Sequence, residues 1–228
     1  LSYIHNQKRQ RGVDGALLRL YEPILWRSLA VANANVRRNA ATILVEAFPL
    51  QDPSMPLTEL DSLLQRQFDA LTNLLKDEAV TVRIVAVQGV CRILALFWDL
   101  IPSTTSTPLL HLLTRELAHD TASNAVRAAV PTGLKYLLHH ASSPSCISTL
   151  RGSSAVKSPI THLAPLVNDT SQRVRSATIE LAVEIAKVRG LNWQSIFRPA
   201  TLLCRLPVEP PSLQLRIARL LLPLHLPA

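Results

Sequence analysis

Val174, Ala177, Thr178, Leu181, Ile185 and Val188 follow one another at i, i+3, i+4, i+7, i+11 and i+14. Arg173, Ser176, Glu180, Glu184 and Lys187 fall on the opposite side. That spacing predicts a helix with one buried stripe and one solvated face, with Gly190 as its C-terminal cap. The same reading puts Val82, Ala86, Gly89, Ile93 and Leu96 on the apolar face of a second helix. A third helix is expected over about 58–76, with Thr58 as N-cap and Asp61 three residues on. Ser158-Pro159 and Pro211-Ser212 read as further helix starts.

These helices recur. An aliphatic residue followed by Arg appears at Val36-Arg37, Val82-Arg83, Val126-Arg127, Val174-Arg175 and Leu215-Arg216, at intervals of 46, 44, 48 and 41. Four positions after the first four stand Ala40, Ala86, Val130 and Thr178; in the fifth, Arg219 takes that place and makes the unit atypical. Asp77 and Asp169 precede their pairs by five residues and Asp120 by six. A period in the forties with two helices per unit is that of HEAT and armadillo arrays. The predicted fold is all-α: a single right-handed α-solenoid of about five HEAT-type helix pairs, roughly 14–48, 58–98, 107–140, 158–189 and 192–223. Linkers are expected at 49–56 and at 141–158, the second a Ser-rich surface loop with Pro144 and Gly152. Pro131 is expected to kink the third unit's second helix, and Pro165 to shorten the fourth unit's first. Leu220, Leu221, Leu222, Leu224 and Leu226 crowd the last residues, so that end is expected to pack on another repeat or a partner.

Composition agrees with helices. Among 228 residues, Gly is scarce at 6 and Pro plentiful at 16, which disfavours tight-turned β folds and phosphate-cradling loops and favours many short helices. Cys91, Cys146 and Cys204 lie too far apart for a disulfide framework or a zinc site, so a reducing compartment, cytosol or nucleus, is expected. No unbroken run of 18 apolar residues occurs, so no membrane span is expected. The chain opens at Leu1 and is read as a fragment.

Charge is uneven. The net +8 divides into +4 over 1–50, −3 over 51–100, +1 over 101–150 and +6 over 151–228. Two readings stand side by side: attraction to a polyanion such as nucleic acid, or ordinary solubility with Arg used as internal struts. Asp77, Arg83, Asp120, Arg127, Asp169 and Arg175 are expected to form a structural ladder along stacked turns, Arg donating and Asp accepting. Cations outside that ladder, Lys8, Arg9, Arg11, Arg38, Arg92, Lys135, Arg173 and Lys187, are the candidate DNA contacts. Stacking aromatics do not interleave with them, which leaves only sequence-blind backbone contact. Trp26, Trp98 and Trp193 are read as packing residues.

Catalysis finds no motif. Neither a P-loop, a G-x-G-x-x-G nor a G-x-S-x-G occurs, and no histidines have zinc-ligand spacing. His139-His140 read as helix C-terminal residues, and Glu180 and Glu184 as a solvated face. No enzyme, cofactor, metal or small-molecule substrate is expected.

Leu18-Arg19-Leu20-Tyr21-Glu22-Pro23-Ile24-Leu25-Trp26-Arg27, Val36-Arg37-Arg38-Asn39-Ala40-Ala41 and Val45-Glu46-Ala47-Phe48-Pro49 resemble the HEAT-repeat G-subunit family of condensin II. His5 through Asp14, Gln88-Gly89-Val90-Cys91 and Glu116-Leu117-Ala118-His119-Asp120-Thr121 resemble it too, the match being densest over 5–135. The resemblance implies a non-catalytic scaffold subunit of a chromosome-condensing complex in the nucleus, on mitotic chromosomes. It implies binding to the kleisin subunit, through it to the SMC ATPase subunits, and contact with double-stranded DNA. The competing reading is a HEAT adaptor of the transport-receptor or phosphatase-scaffold type, which binds protein only and needs no basic ends.

Overall fold

The computed structural model describes residues 4, 7, 10, 12–141, 143–153 and 157–225. Among them all regular structure is helical, with no strand. Two compact units divide the chain, Leu1–Ile93 and Leu94–Ala228.

The first unit holds α1 (Val13–Ser28), α2 (Ala34–Ala47), α3 (Leu57–Leu75) and most of α4 (Val80–Phe97). Each helix turns an aliphatic stripe inward: Leu17, Tyr21 and Leu25 from α1, Ala40 and Leu44 from α2, Phe68, Leu71 and Leu75 from α3, Val82, Ala86 and Val90 from α4. Gly89 sets the approach of α2 to α4, because a Cβ there would lie 2.2 Å from Cγ2 of Val45. The 49–56 connection is fixed from inside. Gln67 is buried, takes the Leu50 N–H on Oε1 at 2.8 Å and returns a bond from Nε2 to the Leu50 carbonyl at 2.9 Å. That exchange satisfies backbone groups that a buried connection otherwise orphans.

Three sequence expectations change along α3 and α4. Thr58 is not the cap of α3, since Pro56 holds that position and caps nothing; its ring presets the entry instead. Leu96, assigned to the buried stripe of α4, is 51% exposed. Residues Val80–Leu100 do form a helical stretch long and apolar enough to cross a membrane by length and composition. Arg83, Gln88 and Arg92 interrupt its apolar run, and 56% of it is buried inside the protein, as in a core helix.

The second unit holds α5 (Ser103–His111), α6 (Asn124–His140), α7 (Pro144–Arg151), α8 (Gln172–Lys187), α9 (Trp193–Ile196), α10 (Pro199–Arg205) and α11 (Pro211–His225). A wide π turn, Leu112–Glu116, and a 3-10 turn, Leu117–His119, prolong α5. Helix α6 runs through buried Pro131 in one piece, and Thr132 Oγ1 donates to the Ala128 carbonyl at 2.8 Å. The helix that Pro165 is expected to shorten is a 3-10 helix, Pro159–Asn168, wound around that proline, which has no N–H to close an α turn. Helix α8 stops at Lys187, and Gly190, at φ +88°, makes the turn beyond it rather than its cap.

The expected loop at 141–158 contains a helix. α7 starts at Pro144, and its Cys146 and Leu150 are completely buried; the Ser-rich composition masks an apolar pair at i and i+4. The last predicted repeat, 192–223, carries a register correction. Leu213, Ile217, Leu220 and Leu221 form the buried stripe of α11, whereas Leu215 is 54% exposed. Leu213 leads that stripe as Val174 leads the one of α8, and Arg216 reaches back to Glu180 of α8 instead of forward to a following turn. Of the crowded terminal leucines, Leu220 and Leu221 are buried, Leu222 and Leu224 are exposed, and Leu226 lies outside the described residues.

Candidate nucleic-acid interface and the Arg–carboxylate ladder

One arrangement recurs at the start of the second helices. An Arg three or four residues into the helix spends Nη1 on carbonyls of the turn before its own helix. The fork of Nε and Nη2 then goes to a carboxylate of the following turn. Arg37 Nη1 donates to the Val31 and Ala32 carbonyls at 2.9 and 2.7 Å, and its fork holds Asp77 at 2.7 and 2.8 Å. Arg127 Nη1 donates to the Asp120 carbonyl at 2.8 Å, and its fork holds Asp169 at 2.7 and 3.1 Å. Arg175 Nη1 donates to the Asp169 and Thr170 carbonyls at 2.9 and 3.1 Å, and its fork holds Glu209 at 2.6 and 3.0 Å. Arg83 Nη1 donates to the Asp77 and Glu78 carbonyls at 2.7 and 2.9 Å.

The carboxylates also organise their own turns. Asp77 accepts the Ala79 N–H, Asp120 the Ala122 and Ser123 N–H groups, and Asp169 the Ser171 N–H. These bonds set the acidities. The Arg37 hydrogen bond holds Asp77 below its ordinary value against the opposing effect of burial. Burial pushes Asp169 and Glu209 up, but Arg127 and the Ser171 N–H on the first, and Arg175 with Arg205 on the second, outweigh it and leave both low.

Sequence spacing places Asp77, Arg83, Asp120, Arg127, Asp169 and Arg175 along one ladder and omits Arg37 and Glu209, which make the same contacts. Arg37 carries the repeat motif, but no Asp stands five or six residues before Val36. Glu209 is a Glu where the pattern reads Asp, and the pattern sets the last pair two residues late. The forks of Arg37 and Arg127 also reach the following turn's carboxylate rather than the one before their own helix.

Lys8, Arg9 and Arg11 lie outside the described residues. Arg38 is half-buried and donates to Asn39 at 3.3 Å. Arg92 is exposed on α4. Lys135 lies on α6, and Arg173 and Lys187 lie at the two ends of α8, which also carries two glutamates. Glu180 takes Lys135 at 2.7 Å and also Arg216 of α11; Glu184 takes Lys187 at 2.9 Å and His139 at 3.1 Å. Burial pushes both glutamates up, and their contacts with Lys135 and Arg216, and with Lys187 and His139, more than reverse it. The two carboxylates are thus half-buried struts rather than a solvated face. Arg173 stands exposed beside a shallow cleft of about 540 Å³ that Thr132, Gln172, Ser176 and Glu180 also line.

Trp98 and Trp193 are buried, as packing residues are, while Trp26 is half-buried under the Arg66 guanidinium, 4.2 Å from its ring centre. Cys91 and Cys146 are free and buried, which pushes each thiol up to about 12, and Cys204 is free and exposed. Among the described residues no group of His, Cys, Asp and Glu could hold a metal ion.

Comparison with known proteins gives a consistent answer. Residues 1–52 match the family described as the condensin II non structural maintenance of chromosomes subunit. Over 221 residues the chain is 37% identical to the condensin-2 complex subunit G2 of Xenopus laevis, covering 97% of this chain and 18% of that protein. The Mus musculus and Homo sapiens subunits of that name are 36% and 37% identical across the whole chain, which spans 19% of each. The chain therefore spans about a fifth of the length of these relatives.

Proposed function

The chain belongs to the condensin-2 subunit G2 family, and from that premise we propose that it is a scaffold segment of a condensin II complex, active in mitotic chromosome condensation in the nucleus. It is non-catalytic, binds the kleisin subunit and through it the SMC ATPase subunits, and contacts double-stranded DNA. The observation that carries this reading is the 36–38% identity sustained over essentially the whole chain in four vertebrate G2 subunits. The helix pairs, the ladder and the buried stripes support a right-handed solenoid of HEAT-type units. Such an array presents extended surfaces to large partners.

DNA contact is sequence-blind. Arg38, Arg92 and Arg173 have no carboxylate partner among the described residues, whereas Lys135 and Lys187 must leave Glu180 and Glu184 to meet a phosphate. Lys8, Arg9 and Arg11 add to the basic end. Fluorescence anisotropy on unrelated duplexes across a salt series tests it. Log affinity should fall with log salt by about 0.9 per phosphate contact and be the same for every sequence. A slope near zero would remove DNA from the proposal and favour a protein-only adaptor.

A further inference from the structure

We propose that the cavity between α5 and α7 in the second unit is a binding site for a phosphorylated threonine or serine side chain of a partner polypeptide. This is independent of the condensin reading. The cavity measures about 370 Å³ and is walled by Thr107, Leu110, His111, Ser148, Thr149, Gly152, Ser153, Lys157 and Pro159.

Among the described residues its charged and polar lining carries no carboxylate. Lys157 brings an ammonium, Thr107 a hydroxyl, and His111 an imidazole whose buried Nδ1 has no hydrogen-bond partner among the described residues. A buried ring nitrogen without a partner costs stability unless something fills the need. A phosphoryl oxygen does so, accepting from Nδ1–H. Three carbonyls at the end of α7 already accept hydrogen bonds. Those of Ser148 and Thr149 take the Gly152 N–H, and that of Leu150 takes the Ser158 hydroxyl.

The surroundings point the same way. Behind His111, Arg115 Nε donates to His162 Nε2 at 3.1 Å, and the His162 carbonyl meets His119 at 2.9 Å. Burial first, then Arg115, holds the pKa of His111 below the ordinary imidazole value. Burial, then Arg115, His111, His119 and Lys157, does the same to His162. The charged groups that act on His111 and His162 among the described residues are Arg115, Lys157 and other histidines, a grouping that a dianion relieves. Size separates a side-chain phosphate from a nucleic-acid backbone. The cavity is concave and single, whereas a duplex offers a continuous rail of diesters to an open surface. Leu110 and Pro159 supply an apolar wall for the methyl-bearing stem of a phosphothreonine.

The test uses the full chain, labelled with 15N at histidine and titrated with O-phospho-L-threonine, threonine, inorganic phosphate and a duplex oligonucleotide. Phosphothreonine should raise the His111 and His162 titrations by roughly one pH unit, bind more tightly below pH 6 than at pH 8, and outbind inorganic phosphate. Lys157→Ala should weaken it about tenfold with unchanged thermal melting, and Thr107→Val should weaken it less. The proposal is overturned if the histidine titrations stay put at saturating phosphothreonine, if threonine acts equally, or if Lys157→Ala binds as the wild type does. Displacement of phosphothreonine by the duplex at lower phosphate concentration would also overturn it, in favour of a polyanion site.

Discussion

Arg127 and Asp169 show what one residue pair does for the fold. Both side chains are mostly buried, 17% and 8% exposed, and the fork between them joins two successive turns. Asp169→Ala leaves a guanidinium without its carboxylate in a poorly solvated site, so the expected loss is on the order of 3 kcal/mol, roughly 6–12 °C in Tm for a chain of this size. Arg127→Ala should cost a similar amount. Thermal melts decide it, and two mutants that melt with the wild type would deny the pair a structural role. The sign of the pH dependence follows. Asp77, Asp169 and Glu209 are more acidic folded than unfolded. Their stabilisation is complete above the ordinary carboxylate values of about 4 and is lost as pH falls through the lowered folded values. Tm should therefore hold between pH 5 and 7 and drop steeply below about pH 4, with a shallower acid slope in Asp169→Asn. An acid slope unchanged in that variant would contradict the assignment.

At the scale of elements, Gly89 and α7 carry the sharpest expectations. Gly89→Ala gains helix propensity of about 1 kcal/mol, yet the new Cβ meets a branched Val45 at 2.2 Å. Overpacking of this kind costs about 1–3 kcal/mol, so the variant should melt lower, and Val45→Ala in the same chain should restore part of the loss. Helix α7 buries Cys146 where composition suggested an open loop. Under native conditions a thiol reagent should modify Cys204 fast, and Cys91 and Cys146 only at the rate of unfolding. Fast modification of Cys146 would return that stretch to a loop. The long second helices were legible because a 3.6-residue stripe survives in the sequence. α7 was not, since two buried residues in eight make too faint a stripe among serines. The 3-10 helix around Pro165 and the π turn after α5 were equally hidden, because periodicity specifies a face and not the winding that delivers it. Ladder chemistry was readable from Asp and Arg spacing. Its direction, from one turn to the next, was not, since that depends on how the turns stack.

For the whole molecule, charge and family meet in one question. The second unit sets Lys135, Arg173, Lys187 and Arg216 on neighbouring helices, with Glu180 and Glu184 occupying three of the four. Arg173→Glu and Arg92→Glu should accordingly weaken duplex binding by more than Lys135→Glu, uniformly across sequences, and lower the salt slope by about 1 each. Anisotropy of the three variants measures it, and equal effects would mean that the glutamate struts do not hold back the lysines.

Assembly is the most direct measure of the central claim. Purified full chain is mixed with purified condensin II kleisin, alone and with its SMC pair, and resolved by size-exclusion chromatography coupled to light scattering. The account predicts a complex of one chain per kleisin that persists when the SMC pair joins. A chain that elutes apart from the kleisin at micromolar concentration, with and without the SMC subunits, would contradict it.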